Sequence, residues 1–189
     1  MTDDIHRFDD HSLPSDDFGL RAPCASDIDA ITQACRDALT QKWLPLPNPY
    51  RWADAQRYVE EFAPSQLASG NGIVRVIEVD GEVAGVIDLK KTDWRAATTE
   101  IGYWVAPAYR GKGLAGRASA LLADWALREQ GMQRVEIRAA VGNIGSARAA
   151  KAAGFGYEGC LRSAGFTHAG RVDLEVYGRT VEDLARREA

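Results

Sequence analysis

The 189-residue sequence is short of the residues that most metal, disulfide and hydrolase sites require: it has three histidines, three cysteines and two methionines. His6 and His11 lie near the start, so only His168 remains in the body of the chain. A Ser-His-Asp hydrolase or a poly-His metal centre is hard to assemble from that, and no metal is expected. Cys24, Cys35 and Cys160 are odd in number and widely spaced, with no C-x-x-C. This argues against a zinc ribbon or a disulfide framework and fits a reducing compartment. No apolar run approaches the ~18 residues of a membrane span. The opening MTDDIHRFDD lacks a basic region followed by an apolar one, so no secretory signal is read there. The expected location is the cytoplasm, with no membrane partner.

What is present describes an ordinary folded domain. Hydrophobic residues make up 46 % of the chain, enough for a folded domain of this length to bury about 70 % of its unfolded surface. The formal net charge of −4 makes nucleic acid an unattractive partner, but the charge is unevenly placed. Residues 1–17 carry six Asp against one Arg and few large apolar groups, and read as an acidic, mobile tail. Residues 107–151 carry eight Lys or Arg against three acids. Residues 18–180 read as one domain and 181–189 as a C-terminal tail.

Periodicity supplies the elements. Ser26-Asp27-Ile28-Asp29 reads as a helix start, with the helix running to about Ala38. WLPLPNPYRW (43–52) is too rich in proline for regular helix and reads as an ordered loop between aromatics. A second helix covers about Asp54 to Leu67. The β-branched runs Ile73–Val79 and Glu82–Leu89 flank Asp80-Gly81, a two-residue hairpin signal. Thr98–Val105 is a further strand. From Leu114 the spacing turns helical, through Ala118, Leu121, Leu122 and Trp125, and ends near Gly131. Arg134–Ala139 reads as strand, Asn143–Ala153 as helix, and Tyr157–Ala164 and Val172–Arg179 as strands about a turn at His168. This order specifies an α/β sandwich on a mixed sheet.

The most informative stretch is EIGYWVAPAYRGKGLAGRASALLADWAL (100–127). A strand ends at Val105, Pro107 interrupts it, and Gly111 and Gly113 open a helix. Glycines there permit a tight turn, and the unpaired N–H groups of a helix start form an anion site. Arg110 and Lys112 add positive charge. Gly111-x-Gly113-x-x-Gly116 matches the dinucleotide fingerprint literally, but several elements precede it where that fold would begin. A G-x-x-x-x-G-K-[ST] phosphate loop is absent.

Arg110-Gly111-Lys112-Gly113-Leu114-Ala115 resembles the [QR]-x-x-G-x-[GA] motif of the GNAT superfamily of acyl-CoA-dependent N-acyltransferases. EIGYWVAPAYRG and NIGSARAAKAAGF are most similar to its RimJ/RimL-like branch, and the likeness extends over most of residues 18–180. The resemblance implies a mixed central β-sheet with helices on both faces and a splayed strand pair that binds acyl-CoA. It implies that amides of Gly111, Lys112, Gly113, Leu114 and Ala115, with Arg110, hold the coenzyme A pyrophosphate. Tyr103, Trp104 and Val105 would border the gap entered by pantetheine, and the amide near Val105 would face the thioester carbonyl. The expected reaction moves acetyl from acetyl-CoA to a primary amine, on a protein N-terminus or a small molecule, by direct attack through a tetrahedral intermediate. A longer acyl chain and a non-catalytic acyl-CoA sensor are the alternatives, and a homodimer is a family-level expectation.

Acyl transfer also needs a base for the amine and a proton for the departing thiolate. Glu100, at the start of the strand leading to Val105, is the candidate base; it reads equally as a solvated strand-end carboxylate. Many family members carry Tyr seven residues after the motif Asn, where this chain has Ala150. The RimJ/RimL-like branch instead has Ser three residues after it, here Ser146, whose high pKa would call for a relay. Asn143 reads as a cofactor contact or a helix N-cap. The Trp43–Trp52 loop is the candidate acceptor wall.

Overall fold

The computed structural model describes residues 6–188, and side chains over 6–185. Eight strands form one sheet: β1 (Leu13–Pro14), β2 (Gly19–Arg21), β3 (Ile73–Val79), β4 (Glu82–Asp93), β5 (Thr98–Val105), β6 (Arg134–Ala140), β7 (Gly156–Thr167) and β8 (Gly170–Thr180). Their spatial order is β1-β2-β3-β4-β5-β6-β8-β7. Every pairing is antiparallel except β5 with β6, which is parallel. The helices are α1 (Ile28–Arg36), α2 (Ala38–Trp43), α3 (Trp52–Arg57), α4 (Ala63–Ala68), α5 (Leu114–Arg128), α6 (Ile144–Ala152) and α7 (Val181–Glu188); a π-helical turn, Tyr58–Phe62, joins α3 to α4.

Alternation along the strands divides the core between the two faces of the sheet. Ile73, Ile77, Ile87 and Leu89 pack on the face carrying Leu114, Leu122 and Trp125 of α5. Val74, Val76 and Val86 pack on the other, with Ile28 and Ile31 of α1, Ala55 of α3 and Tyr50. Each such aliphatic side chain taken from water contributes about 1.5–3 kcal/mol before entropy is counted. Helices therefore cover both faces, as the resemblance implied.

The strands read from the sequence are present, though β4 runs on to Asp93 and β7 to Thr167, and the structure departs from that reading in three further places. The first helix stops at Arg36, because Asp37 is extended and caps a separate α2, accepting from the N–H groups of Leu39 and Thr40. The acidic start is not a mobile tail over residues 6–17. Phe8 is buried against Trp94 and Trp125, Leu13 and Phe18 enter the core, and β1 pairs with β2. Residues 1–5 lie outside the described residues. Finally, within the segment read as a C-terminal tail, residues 181–188 form α7, with Leu184 buried.

The parallel pair positions the site. β5 and β6 are in register only from Thr98–Arg134 to Ile101–Ile137, although the strands run on to Val105 and Ala140. Beyond Ile101 they part and leave a gap. The Ala106 N–H donates to Ala84 O (2.8 Å) and the Gly102 N–H to Asp88 Oδ1 (2.9 Å), both toward β4. Alternation along β5 therefore turns the N–H groups of Tyr103 and Val105 into the gap.

Candidate active site

A cleft of about 530 Å³ occupies the gap, lined on one side by Tyr103, Trp104 and Val105 and on the others by α2, the glycine turn and α6. At its far end, Gly111 (φ 76°) and Gly113 (φ 72°) hold left-handed conformations that residues with a Cβ adopt only with strain. Gly113 is the N-cap of α5, and nothing lies within 4 Å of where a Cβ would stand on either glycine. No acceptor within the described residues takes the N–H groups of 111–116. An open cradle of free amides at the start of a fifteen-residue helix suits a pyrophosphate.

The cations distribute differently from the expectation. Arg110 lines the cleft, but its guanidinium is already engaged: with Asp37 at 2.6 Å, Thr40 Oγ1 at 2.8 Å and Val105 O at 2.9 Å. It pins α2 over the cleft, and the same contact holds the Asp37 carboxyl below the usual carboxylate range. The Lys112 ammonium lies over the Tyr109 ring, 5.5 Å from its centre. Arg148 of α6 lines the cleft, and no ion pair or hydrogen bond to it is found among the described residues. The sequence showed Arg148 only as one of eight cations in a basic segment.

A second cavity of about 450 Å³ shares Trp43, Leu44, Tyr103, Trp104, Asn143 and Ser146 with the first. At this common wall the Tyr103 hydroxyl is 2.8 Å from Ser146 Oγ and donates to Ser146 O at 3.2 Å. Burial raises the Tyr103 pKa, so the phenol stays protonated at neutral pH. Ala150 is fully buried, and the phenol near the site comes from β5 instead. Asn143 caps α6, its Oδ1 accepting from the Ser146 N–H at 3.2 Å, while lining both cavities. Its two readings therefore coexist.

Glu100 is not brought to these cavities. It is 7 % exposed, and its carboxylate faces Lys91 (2.8 Å), Lys90 (3.5 Å) and Arg138 (3.7 Å). The carboxylate that does line the second cavity is Asp88 of β4, which the sequence reading passed over. Trp43, Leu44, Pro45, Leu46 and Tyr50 of the proline-rich loop line that cavity, whereas Trp52 turns outward and bonds Asp29. Tyr177 is buried, donates to Glu175 and has its pKa pushed up to about 12, chiefly by burial. His168 stays at its exposed turn, against Gln41.

A splayed parallel pair opening onto a cradle of helix-start amides, with a hydroxyl pair between two cavities, defines an acyl-CoA-dependent acyltransferase. Comparison with known proteins makes the assignment: residues 17–156 match the acetyltransferase (GNAT) domain, and the chain belongs to that family. It is 36 % identical over 140 residues to YdaF of Bacillus subtilis (strain 168), named as a ribosomal N-acetyltransferase, covering 72 % of this chain and 75 % of that protein. It is 30 % identical over 103 residues to the ribosomal-protein-serine acetyltransferase of Escherichia coli (strain K12), covering 54 % and 58 %. The structure of RimL, the ribosomal L7/L12 alpha-N-protein acetyltransferase, in complex with coenzyme A superposes with a TM-score of 0.81. That match has 24 % identity and covers 92 % of this chain and 99 % of RimL. Among the described residues no helix is long and apolar enough to cross a membrane.

Proposed function

We propose that the protein transfers acetyl from acetyl-CoA to the α-amine of a protein N-terminus. Acetyl-CoA supplies an activated acetyl thioester, and the chain's residues position and discharge it. The free amides of 111–115 take the pyrophosphate, with Arg148 adding charge along the cleft. The Val105 N–H, turned into the gap, donates to the oxygen on which negative charge develops.

The observation that carries the reading is the Tyr103–Ser146 pair on the wall between the two cavities. With acyl-CoA bound, the Tyr103 hydroxyl would turn its proton from Ser146 O to Ser146 Oγ as Ser146 donates to the sulfur, so that a proton reaches the leaving thiolate without Ser146 becoming an alkoxide. Such a relay would supply what a lone serine calls for. On the far side, the second cavity shares Leu46, Tyr50, Tyr58 and Phe62 with an open groove of about 520 Å³. A small amine would fill the cavity alone, whereas an extended chain would also occupy the groove. The relatives' names, which specify ribosomal proteins, favour the second. Glu100, expected as the base, instead holds Lys90 and Arg138 against the cavity's rear wall.

The test pairs a peptide library varied at its first residues with small amines. N-terminal peptides should be acetylated with higher kcat/KM than small amines. A preference for a small amine, with peptides inert, would replace the acceptor assignment.

A further inference from the structure

The acceptor amine is an ammonium over much of the neutral range, because an α-amino group has a pKa of about 7.7–8. Its proton has to be taken near the attacking nitrogen, and Glu100, saturated by three cations, is badly placed for that. Asp88 has the placement. It pairs in register with Gly102, the first β5 residue past the point where β5 and β6 separate. Oδ1 accepts the Gly102 N–H at 2.9 Å, and Oδ2 has no hydrogen-bond partner among the described residues. The carboxylate lines the second cavity with Tyr103 and Ser146 and has no ion pair within 4 Å among the described residues.

Gly102 belongs to this arrangement. A Cβ there would stand 2.6 Å from Asp88 Oδ1 and 2.4 Å from Lys90 Nζ, so the missing side chain is what lets the carboxylate lie across the strand at the mouth of the gap. The charged groups around it are Lys90 and Lys91 on β4, Glu100 on β5 and Arg138 on β6, with the phenol of Tyr58 from the π-helical turn. Burial raises the Asp88 pKa to about 6, against the opposing pull of Lys90. Burial first, and Asp88 second, push the Tyr58 phenol well above its ordinary value, so it stays neutral.

We infer that Asp88 is the catalytic base: it binds the acceptor ammonium as its counter-ion and takes the protons that the nitrogen sheds before and after attack. This rests on the N-acetyl transfer reading. The nitrogen bonds to the acetyl carbon and the C–S bond breaks. The bound ammonium gives Asp88 one proton before attack, and Asp88 passes it to solvent. Once the N–C bond has formed, Asp88 takes the nitrogen's second proton, while Ser146 gives its proton to sulfur and is refilled from Tyr103. Tyr103 is reprotonated from solvent. The proton on Asp88 then leaves to solvent.

Asp88→Asn keeps an acceptor for the Gly102 N–H and removes the base. It should lower kcat/KM on peptide by at least ~10²-fold. It should also abolish the acidic limb of the pH profile, which in the wild type has its midpoint near 6. Asp88→Glu should recover part of the rate, and Glu100→Gln should keep the limb. An Asp88→Asn enzyme that retains both rate and limb overturns the inference. A second readout needs no turnover: in CoA-saturated protein, the Gly102 amide resonance should titrate with Asp88. Glycinamide should lower that midpoint by about half a pH unit or more, and N-acetylglycinamide should leave it unchanged. An amide indifferent to glycinamide overturns the inference even if peptides are acetylated. An amide that responds in a protein that acetylates no peptide upholds the ammonium site and sinks the N-terminus reading instead.

Discussion

Tyr103 and Ser146 come from a strand and a helix 43 residues apart, and their hydroxyls meet at 2.8 Å where the two cavities join. Tyr103→Phe keeps the ring and its packing but breaks the proposed relay; Ser146→Ala removes the hydroxyl proposed to protonate the sulfur. Each should reduce kcat on the order of 10²-fold with little change in acetyl-CoA affinity. The double variant should be scarcely worse than either single one, since both act on one proton path. Steady-state kinetics with a parallel thermal-shift titration of acetyl-CoA measures both. At Asp88 the pH effect on stability has the opposite sign to that of a salt-bridged acid. Its folded pKa lies above the ordinary 3.8, at about 6, so the folded state binds the extra proton between those values. Stability falls as pH rises through that window and stays lower above it. Asp88→Asn should therefore melt a few degrees higher than wild type at pH 7, with the difference vanishing below pH 4. Asp88 was hard to recognise in sequence because Ile87-Asp88-Leu89 reads as an ordinary strand with one polar residue outward. Whether "outward" means solvent or a cavity depends on helices tens of residues away.

At the scale of elements, α2 depends on a cap and a latch sharing one carboxylate. Asp37 accepts from the N–H groups of Leu39 and Thr40 and pairs with Arg110 at 2.6 Å. Asp37→Ala should cost about 1–2 kcal/mol and raise the KM for acetyl-CoA, since α2 forms one wall of the cleft. The Asp37 pKa is depressed below its ordinary 3.8, principally by Arg110. Its stabilisation is complete above that value and is lost as pH falls through the folded pKa. Melting curves of wild type and Asp37→Ala should thus differ at pH 7 and converge in acid below the ordinary value. The strands and α5 were legible because their periods are strong, as in Ile73–Val79 and Leu114–Trp125. The break at Asp37 was not, since nothing local distinguishes Ala34-Cys35-Arg36-Asp37-Ala38 from continuous helix. The partner that stabilises the break, Arg110, is supplied by the glycine motif; the sequence had that residue binding phosphate.

For the molecule as a whole, the acidic start closes one end of the sheet. Phe8 lies 4.8 Å from Trp94 and 5.9 Å from Trp125, ring centre to ring centre. Asp10 is the ion-pair partner of Arg75, a guanidinium only 3 % exposed. Net acidity and scattered apolar residues made this segment read as solvated, because composition averages over Phe8, Leu13 and Phe18 while the core takes each singly. Phe8→Ala should destabilise by about 3–5 kcal/mol. Asp10→Ala, which leaves a buried cation unpaired, should also be costly. Chemical denaturation measures both, and a truncation starting at residue 18 should melt lower than either single variant. The glycine turn and the splayed pair were legible through family likeness; the proposed relay at Tyr103 and counter-ion at Asp88 required the fold to bring distant positions together.

Intact-mass spectrometry of peptides with a free N-terminus, incubated with acetyl-CoA, is the most direct check on this account. Wild type should add a single acetyl group at the α-amine, and a peptide blocked at its N-terminus should gain none. Ser146→Ala and Tyr103→Phe should slow the gain on the order of 10²-fold while still binding acetyl-CoA. Acetylation at lysine side chains with the α-amine untouched would contradict it, as would undiminished transfer by both variants.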